Sequence, residues 1–327
     1  MTCIVSIIVP NFNKGSYIAE TLESVINQDF AEWEIICIDD GSTDDSLSII
    51  QKYAKSDNRI KLHKREREPK GANTCRNIGI SKANGDFIMF LDSDDLIGSR
   101  TLSNRIAFQK KNGECAFTVF KMGTFYKRLG GSSNDWRLPH NNPLPLFLKH
   151  DLPWAIPSVL WKRSFLEGLG GFDEEFPRLQ DVELHTRALL RKGVNYKIDF
   201  DSVPDCFYRI DEERIVSSNE SFYRSWTNGT ILYVCKMSSL LSSQEIKMLK
   251  YLKGTIVTMV AQLYQNSKIP LALKKELLNK LKKDINVQKV MGKRAFFYLW
   301  IYETGLSLKL SKITGFNKVW KYIIVYL

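Results

Sequence analysis

The first hundred residues alternate between short apolar runs and helical patterns, and this alternation restricts the fold of the 327-residue chain more than any other feature. Residues 3–9 form an apolar run ending at Pro10-Asn11, and residues 34–38 form another ending at Asp39-Asp40-Gly41-Ser42. A third run spans 60–63, and a fourth spans 86–91 behind the turn residues Asn84-Gly85. Runs of this length bounded by turn formers read as buried strands. Between them, residues 16–28 carry Ile18, Leu22, Val25 and Ile26 at helical spacing. A helix capped by Thr43 or Asp44 carries Leu47, Ile49, Ile50 and Tyr53, and 72–83 reads as a third helix. A βαβα order implies an α/β fold with a mostly parallel sheet, right-handed crossovers and flanking helices.

The fourth run delivers Phe90-Leu91-Asp92-Ser93-Asp94-Asp95 to the carboxyl end of its strand, where open α/β sheets bind ligands. Three clustered carboxylates are unfavourable without a cation or polar ligand. Mg²⁺ or Mn²⁺ carrying phosphates meets that need, because these ions take carboxylate oxygens and share the remaining positions with substrate. An acidic loop capping the next helix is the plainer alternative. The basic stretch Lys61, Lys64, Arg65, Arg67 and Lys70 leads into Gly71-Ala72-Asn73. It reads either as a solvated loop or as a phosphate-facing rim before a helix N-terminus.

A hydrophobic content of 44% is enough for a sizeable core, and the length suits one large domain with an appendage or two domains. The net charge of +11 favours polyanions or anionic membrane surfaces without choosing between them. The six cysteines are scattered, with no CxxC pair and no Cys/His cluster, so a zinc site is not expected and buried thiols in a reducing cytoplasm are. The run at 3–9 has neither a basic n-region nor a cleavage site and does not read as a signal peptide. No uncharged apolar stretch reaches the about 18–20 residues of a spanning helix. These features suggest a cytoplasmic protein, soluble or peripheral at the inner face of the cell membrane.

Residues 130–160 are rich in Gly, Pro, Asn and Trp, and a long irregular region inside a compact domain is usually functional or mobile. Trp136, Trp154 and Trp161 are candidates there for stacking on a sugar. Further on, 179–192 reads as a helix with Asp181 at its start, and 197–200 and 206–210 read as strands. From about Asn219 the pattern changes to long helices, which places the expected domains at 1–218 and 219–327, the first divided near residue 100. The last helices mix Lys274, Lys275, Lys280, Lys282 and Lys283 with apolar and aromatic residues such as Phe296, Phe297, Trp300 and Trp320. That composition suits a membrane interface or a helical subdomain packed on its neighbour.

Four segments line up in order along the chain: Val5 to Asn13, Ile38-Asp39-Asp40-Gly41-Ser42-Thr43-Asp44, Cys75-Arg76-Asn77-Ile78-Gly79 with Ala83-Asn84-Gly85-Asp86, and Leu91-Asp92-Ser93-Asp94-Asp95. Together they resemble the family 2 glycosyltransferases, nucleotide-sugar enzymes of the GT-A fold. The resemblance is dense over residues 3–100 and looser to about 215. It implies that Pro10 and Phe12 hold the nucleotide base and that Asp40, with Asp39, accepts a hydrogen bond from it. Arg76 and Asn77 would approach the nucleotide. Asp92, Asp94 and Asp95 match the DxD motif and would divide ribose and a divalent metal between them. Behind Gly170-Gly171-Phe172-Asp173, Asp181 occupies the position of the family's catalytic base, with Gln180 where a glutamate is usual and Glu183 as the fallback. Tyr208-Arg209 with Ser217-Ser218 corresponds to the region that closes over the donor pyrophosphate, and Arg209 is carried over with it.

The implied activity is inverting transfer of a sugar from a nucleotide donor, UDP-linked by preference, to a hydroxyl of a glycan or lipid-linked acceptor. A single base without a nucleophile pair fits single displacement. Surface polysaccharide or glycolipid biosynthesis is the implied setting. The alternatives weighed against it are a nucleotide-sugar pyrophosphorylase, which would favour a Gly-rich basic loop after the first strand, and a non-catalytic glycan-binding or scaffold protein with a decayed site. A dinucleotide oxidoreductase lacks its GxGxxG turn. Nucleic acid is not an expected partner, since no recognition module is present.

Overall fold

The computed structural model describes residues 4–113, 115–126, 136, 138–210, 220–241, 246–266 and 269–326. The chain divides into two units, one comprising 1–140, 153–174 and 192–212, the other 141–152, 175–191 and 213–327.

The first unit is built on a seven-stranded sheet. Strands β1 (Val5–Asn11), β2 (Trp33–Asp39), β3 (Ile60–Lys64) and β4 (Phe87–Phe90) pair in parallel, β1 at the centre with β2 and β4 on either side. Their intervening helices are α1 (Gly15–Ile26), α2 (Ser46–Ser56) and α3 (Ala72–Lys82), as the alternating pattern predicts. β5 (Leu96–Ile97), α4 (Thr101–Lys111), β6 (Phe117–Val119) and β7 (Met122–Phe125) follow. The second unit then contributes α5 (Leu144–Leu148), before the first resumes at β8 (Val159–Lys162) and α6 (Arg163–Gly168). α7 (Gln180–Leu190) belongs to the second unit, and β9 (Tyr196–Ile198) and β10 (Cys206–Arg209) return to the first. The sheet order is β3-β2-β1-β4-β8-β6-β9, with β8 antiparallel to both its neighbours. β5, β10 and β7 form a small second sheet.

Every residue of β2 is buried, as suits a strand covered on both faces. Ile18, Leu22 and Val25 recur at one face of α1 and join this core. α3 lies very close to β1: a Cβ on Gly79 would sit 2.4 Å from Cγ2 of Ile8, so only hydrogen fits at that position. β8 lies at the end of the Pro-rich region that the sequence reading treats as irregular. Its four residues are too few for a periodic signal, and it is fixed instead by antiparallel pairing to β4. Trp154 and Trp161 are buried, Trp161 against Phe117 and Phe165, so neither ring is presented to a sugar. Trp136 is partly buried on the core, while 127–135 lie outside the described residues.

The second unit is helical. α5 and α7 join α8 (Glu220–Leu240), α9 (Leu249–Gln265), α10 (Leu271–Lys283), α11 (Ile285–Ser307) and α12 (Phe316–Tyr326) around a core that includes Ile256, Val260, Leu281 and Tyr302. Asp284 caps α11 by accepting from the backbone N–H groups of Asn286 and Val287. The Tyr233 hydroxyl lies 2.7 Å from Thr186 and 3.3 Å from the Phe147 carbonyl, tying α8 to α7 and α5.

At the amino ends of the parallel strands sits a buried carboxylate that sequence reading passed over. Glu34 accepts from Ser6 Oγ (2.6 Å), Lys61 Nζ (2.6 Å) and the Asn84 N–H (2.7 Å). Burial pushes its pKa up, but these donors outweigh burial and hold it at about 2. A depressed carboxyl pKa stabilises the fold above pH 4.5, and that contribution is lost as pH falls towards 2. Glu34→Gln is expected to remove up to about 3 kcal/mol at neutral pH and to flatten the acid limb of a stability–pH curve measured by urea unfolding.

Candidate functional site

Because β1, β2 and β4 run in parallel, their carboxyl ends open on one edge of the sheet, and the candidate residues collect there. Asp39 ends β2 and organises the turn. Its Oδ1 accepts from Asn11 Nδ2 (2.9 Å) and Ser42 Oγ (2.6 Å), and its Oδ2 from the N–H groups of Gly41 (3.1 Å) and Ser42 (3.0 Å). Gly41 has φ +86°, a conformation that favours glycine. With four donors and 2% exposure, Asp39 is committed to building the loop. Asp40 is the carboxylate beside it. Its N–H donates to the Asn11 carbonyl (2.8 Å), and its Oδ1 receives Arg65 Nε (2.5 Å). Phe12 is 42% exposed, with Lys70 Nζ 3.9 Å from its ring centroid. Pro10, between β1's buried residues and this ring, is partly exposed.

The basic stretch divides into paired and exposed members. Lys61 is spent on Glu34, Arg65 on Asp40, and Arg67 on a two-pronged pair with Glu174 at 2.6 Å for each bond. These three do not form a phosphate-facing rim, whereas Lys64 and Lys70 are exposed.

Around the DxD segment, Asp92 is the open member, with a side chain 38% exposed. Arg76 Nη2 donates to its Oδ1 at 2.7 Å. Arg76 itself is buried, its guanidinium 5.2 Å from the Phe172 ring centroid, and its Nε and Nη1 find no acceptor among the described residues. Unpaired donors on a buried guanidinium are costly, and an anion at this place would satisfy them. Lys14 Nζ reaches Asp94 Oδ2 at 2.5 Å. Asp95 faces inward: its Oδ1 accepts the Arg209 N–H (2.9 Å), its carbonyl accepts Thr21 Oγ1 (2.9 Å), and it is 1% exposed. Arg209 is likewise enclosed, donating to the Asp94 carbonyl (2.8 Å) and Glu20 (2.6 Å) between the rings of Tyr17 and Phe125. Asp95 and Arg209 therefore brace the segment through contacts with each other and with its backbone.

Asn77 is tied to a distant loop. Its Nδ2 donates to the Phe172 carbonyl (2.8 Å) and Glu174 (2.7 Å), and its Oδ1 accepts the Phe172 N–H (2.8 Å). Asn73 Nδ2 adds a bond to the Asp173 carbonyl at 3.0 Å. One face of α3 thus clamps the Gly-Gly-Phe-Asp loop, and Asn77 is saturated by it. The asparagine spacing on a helix was visible in the sequence, but its target a hundred residues away was not.

Among the described residues, no group of three or more His, Cys, Asp or Glu side chains is gathered for a metal ion. Asp92 and Asp94 nevertheless fit a hard cation bound through one or two carboxylates with phosphate oxygens completing the shell. In the second unit, Asp181 stands in the first turn of α7, its Oδ1 2.9 Å from the Val182 N–H, behind Leu179 at φ +67°. Glu183 is buried and held by Arg187 Nε (2.6 Å) and Nη2 (2.9 Å), which leaves it a poor substitute base. His185 is buried too, and burial pushes its pKa down to about 3. Ser217-Ser218 lie outside the described residues.

A mostly parallel sheet with carboxylates at the carboxyl ends of its strands is the arrangement in which open α/β folds bind ligands, and the comparisons narrow the class. Residues 6–159, a little under half of the chain, match the model of glycosyl transferase family 2. A GalNAc(5)-diNAcBac-PP-undecaprenol beta-1,3-glucosyltransferase of Campylobacter jejuni is 37% identical over 180 residues, covering 52% of this chain and 55% of that protein. The chain thus spans about half the length of that relative. Staphylococcus aureus TarS 1-349 in complex with UDP-GlcNAc superposes with a TM-score of 0.68 at 22% identity, over 97% of this chain and 90% of the other, which establishes the GT-A fold. A mannosyltransferase of Pyrobaculum calidifontis, solved with GDP-Man and Mn²⁺, aligns at TM-score 0.51 and 18% identity, over 93% of this chain and 86% of that one.

Asp39 and Asp40 are expected to separate on mutation. Asp39→Ala, losing a charged acceptor of four bonds, costs about 2–4 kcal/mol in urea unfolding. Asp40→Ala costs less stability but weakens nucleotide binding measured by calorimetry.

Proposed function

We propose that the chain is an inverting, metal-dependent glycosyltransferase that moves a sugar from a nucleoside-diphospho-sugar to a hydroxyl of a glycan or lipid-linked acceptor, in surface polysaccharide or glycolipid synthesis. The observation that carries this reading is the buried Arg76, with two unpaired donors, beside the open carboxylate of Asp92. That pairing suits a ligand that is anionic and metal-bound at once. UDP is the favoured nucleotide, because Asp40 beside Phe12 is an acceptor beside an aromatic face, the complement of a uracil N3–H and its ring.

Phe12 takes the base face once Lys70 moves aside, and Asp40, oriented by Arg65, accepts the base N–H. Asp39 and Pro10 shape the loop. Asp92 and Asp94 would hold Mg²⁺ or Mn²⁺, which when bound would supply positive charge opposite the departing diphosphate. Arg76 adds a fixed positive group for that charge, and Lys14, displaced from Asp94, adds another. Asp181 takes the proton from the acceptor hydroxyl as its oxygen bonds to the anomeric carbon. The bond from that carbon to the diphosphate oxygen breaks on the opposite face, so configuration inverts.

Residues 219–327 serve membrane or partner association in this reading, at the cytoplasmic face of the membrane. Among the described residues no helix is long and apolar enough to cross a membrane. Phe297, Trp300, Leu308 and Ile313 are well exposed near Lys293, Arg294, Lys309 and Lys312 in sequence, the mixture that suits an anionic interface. Flotation with anionic vesicles at low salt is expected to carry the full chain, and a Phe297→Ala, Trp300→Ala double variant to remain behind. Equal flotation of both would remove this surface from the reading.

Thermal unfolding with UDP, dTDP, GDP and CDP, each with and without Mn²⁺, tests the donor site. A ligand at about 100 times its dissociation constant adds about 2.7 kcal/mol. A metal-dependent rise in Tm with UDP is expected, and no shift with any nucleotide would overturn the proposal. Asp181→Asn is expected to keep that shift while transfer falls by about 10²–10⁴-fold. Unaltered turnover would remove Asp181 as base.

A further inference from the structure

The helical unit holds a recess that donor chemistry does not use. Its volume is about 490 Å³, within the size range of small-molecule sites. Val257 and Ala261 of α9 and Val325 of α12 give it apolar walls, and Lys149, Lys318 and Lys321 line it with Asp151. Asp151 pairs with Lys321 at 2.5 Å and with Lys149 at 3.5 Å. Lys318 is exposed and meets no carboxylate among the described residues. One carboxylate among three ammonium groups leaves the recess with two uncompensated positive charges.

The arrangement comes directly from helical spacing. Lys318, Lys321, Tyr322 and Val325 recur at i, i+3, i+4 and i+7 of α12, so one stripe carries cations at one end and an apolar residue at the other. The Lys321 side chain is only 19% exposed, and burial holds its ammonium below the usual lysine range. Surface lysines ordinarily keep their heads in water. Crowding three ammonium groups, two of them partly buried, around one carboxylate is unfavourable unless an anion joins them, and hydrogen bonds to such an anion are the strong, charge-assisted kind. Free phosphate would satisfy the lysines but leave the valine and alanine walls unused. A plain hydrocarbon would do the reverse.

We propose that this recess binds a phosphorylated amphiphile, its phosphate held by Lys149, Lys318 and Lys321 and its chain laid along Val257, Ala261 and Val325. A polyprenyl phosphate and a membrane phospholipid share this chemistry. The assignment stands on the helical unit alone and does not depend on the donor site.

Calorimetry on the full chain with farnesyl phosphate, monomeric dihexanoyl phosphatidylglycerol, inorganic phosphate and farnesol tests it. At least one amphiphile is expected to bind about tenfold or more tighter than inorganic phosphate or farnesol. Lys318→Glu, on an exposed side chain, is expected to weaken that amphiphile by about tenfold or more, and Gln262→Trp, which fills the recess, to weaken it as well. Unchanged circular dichroism and ligand-free thermal unfolding in both variants would show that they fold. Farnesyl phosphate alone binding identifies an isoprenoid ligand, and the phosphatidylglycerol alone identifies a phospholipid. Binding of neither amphiphile, equal binding of inorganic phosphate, or wild-type affinity in both variants overturns the proposal.

Discussion

The close seating of α3 on β1 is the contact on which the site depends. With no side chain at Gly79, the helix approaches until Ile8 fills the space a Cβ would need. That depth buries Arg76 and brings its guanidinium level with Asp92 at the end of β4. It also brings Asn73 and Asn77 onto the backbone of 172–174. A helix held a few ångströms farther out would lose the Arg76–Asp92 bond and the loop clamp together. One glycine thus couples sheet packing, the position of a buried cation and the course of a loop a hundred residues downstream.

The two ends of the parallel sheet treat buried carboxylates oppositely. At the amino end, Glu34 is surrounded by donors and its charge is fully used in holding strands together. At the carboxyl end, satisfaction is graded. Asp39 and Asp95 are consumed by the loops they support, Asp40 and Asp94 are each tied to one cation, and Asp92 remains open to solvent. The cations are similarly graded, from the enclosed Arg209 to Arg76 with two donors unused. Ligand chemistry belongs where satisfaction is incomplete, because the incomplete groups have free energy to gain from a partner.

The same grading explains what could be read from sequence and what could not. The parallel strands and their helices were legible because each apolar run is long enough to register and is bounded by turn residues. β8 and the two-residue β5 were not, since their pairing partners, and no pattern of their own, make them strands. The carboxylate edge was legible as a place. Its division of labour was not, because Asp39 and Asp40 are neighbours of identical chemistry, separated only by which way the turn at Gly41 points them. Arg209 and Asn77 match motif positions yet are saturated by contacts more than ninety residues away in sequence, and no local reading reaches those.

In the helical unit the difficulty runs the other way. Its lysine-rich, aromatic helices advertise an interface along their whole length, and composition cannot say where the charge is left unbalanced. Some of these cations have partners: Lys282 pairs with Glu303, Lys236 with Glu175, and Arg224 with Glu220 and Glu276. What sets the excess around Asp151 apart is that the packing of α9 and α12 puts an apolar wall beside it. Net charge is a property of the chain, but recognition depends on the charge that folding leaves unpaired.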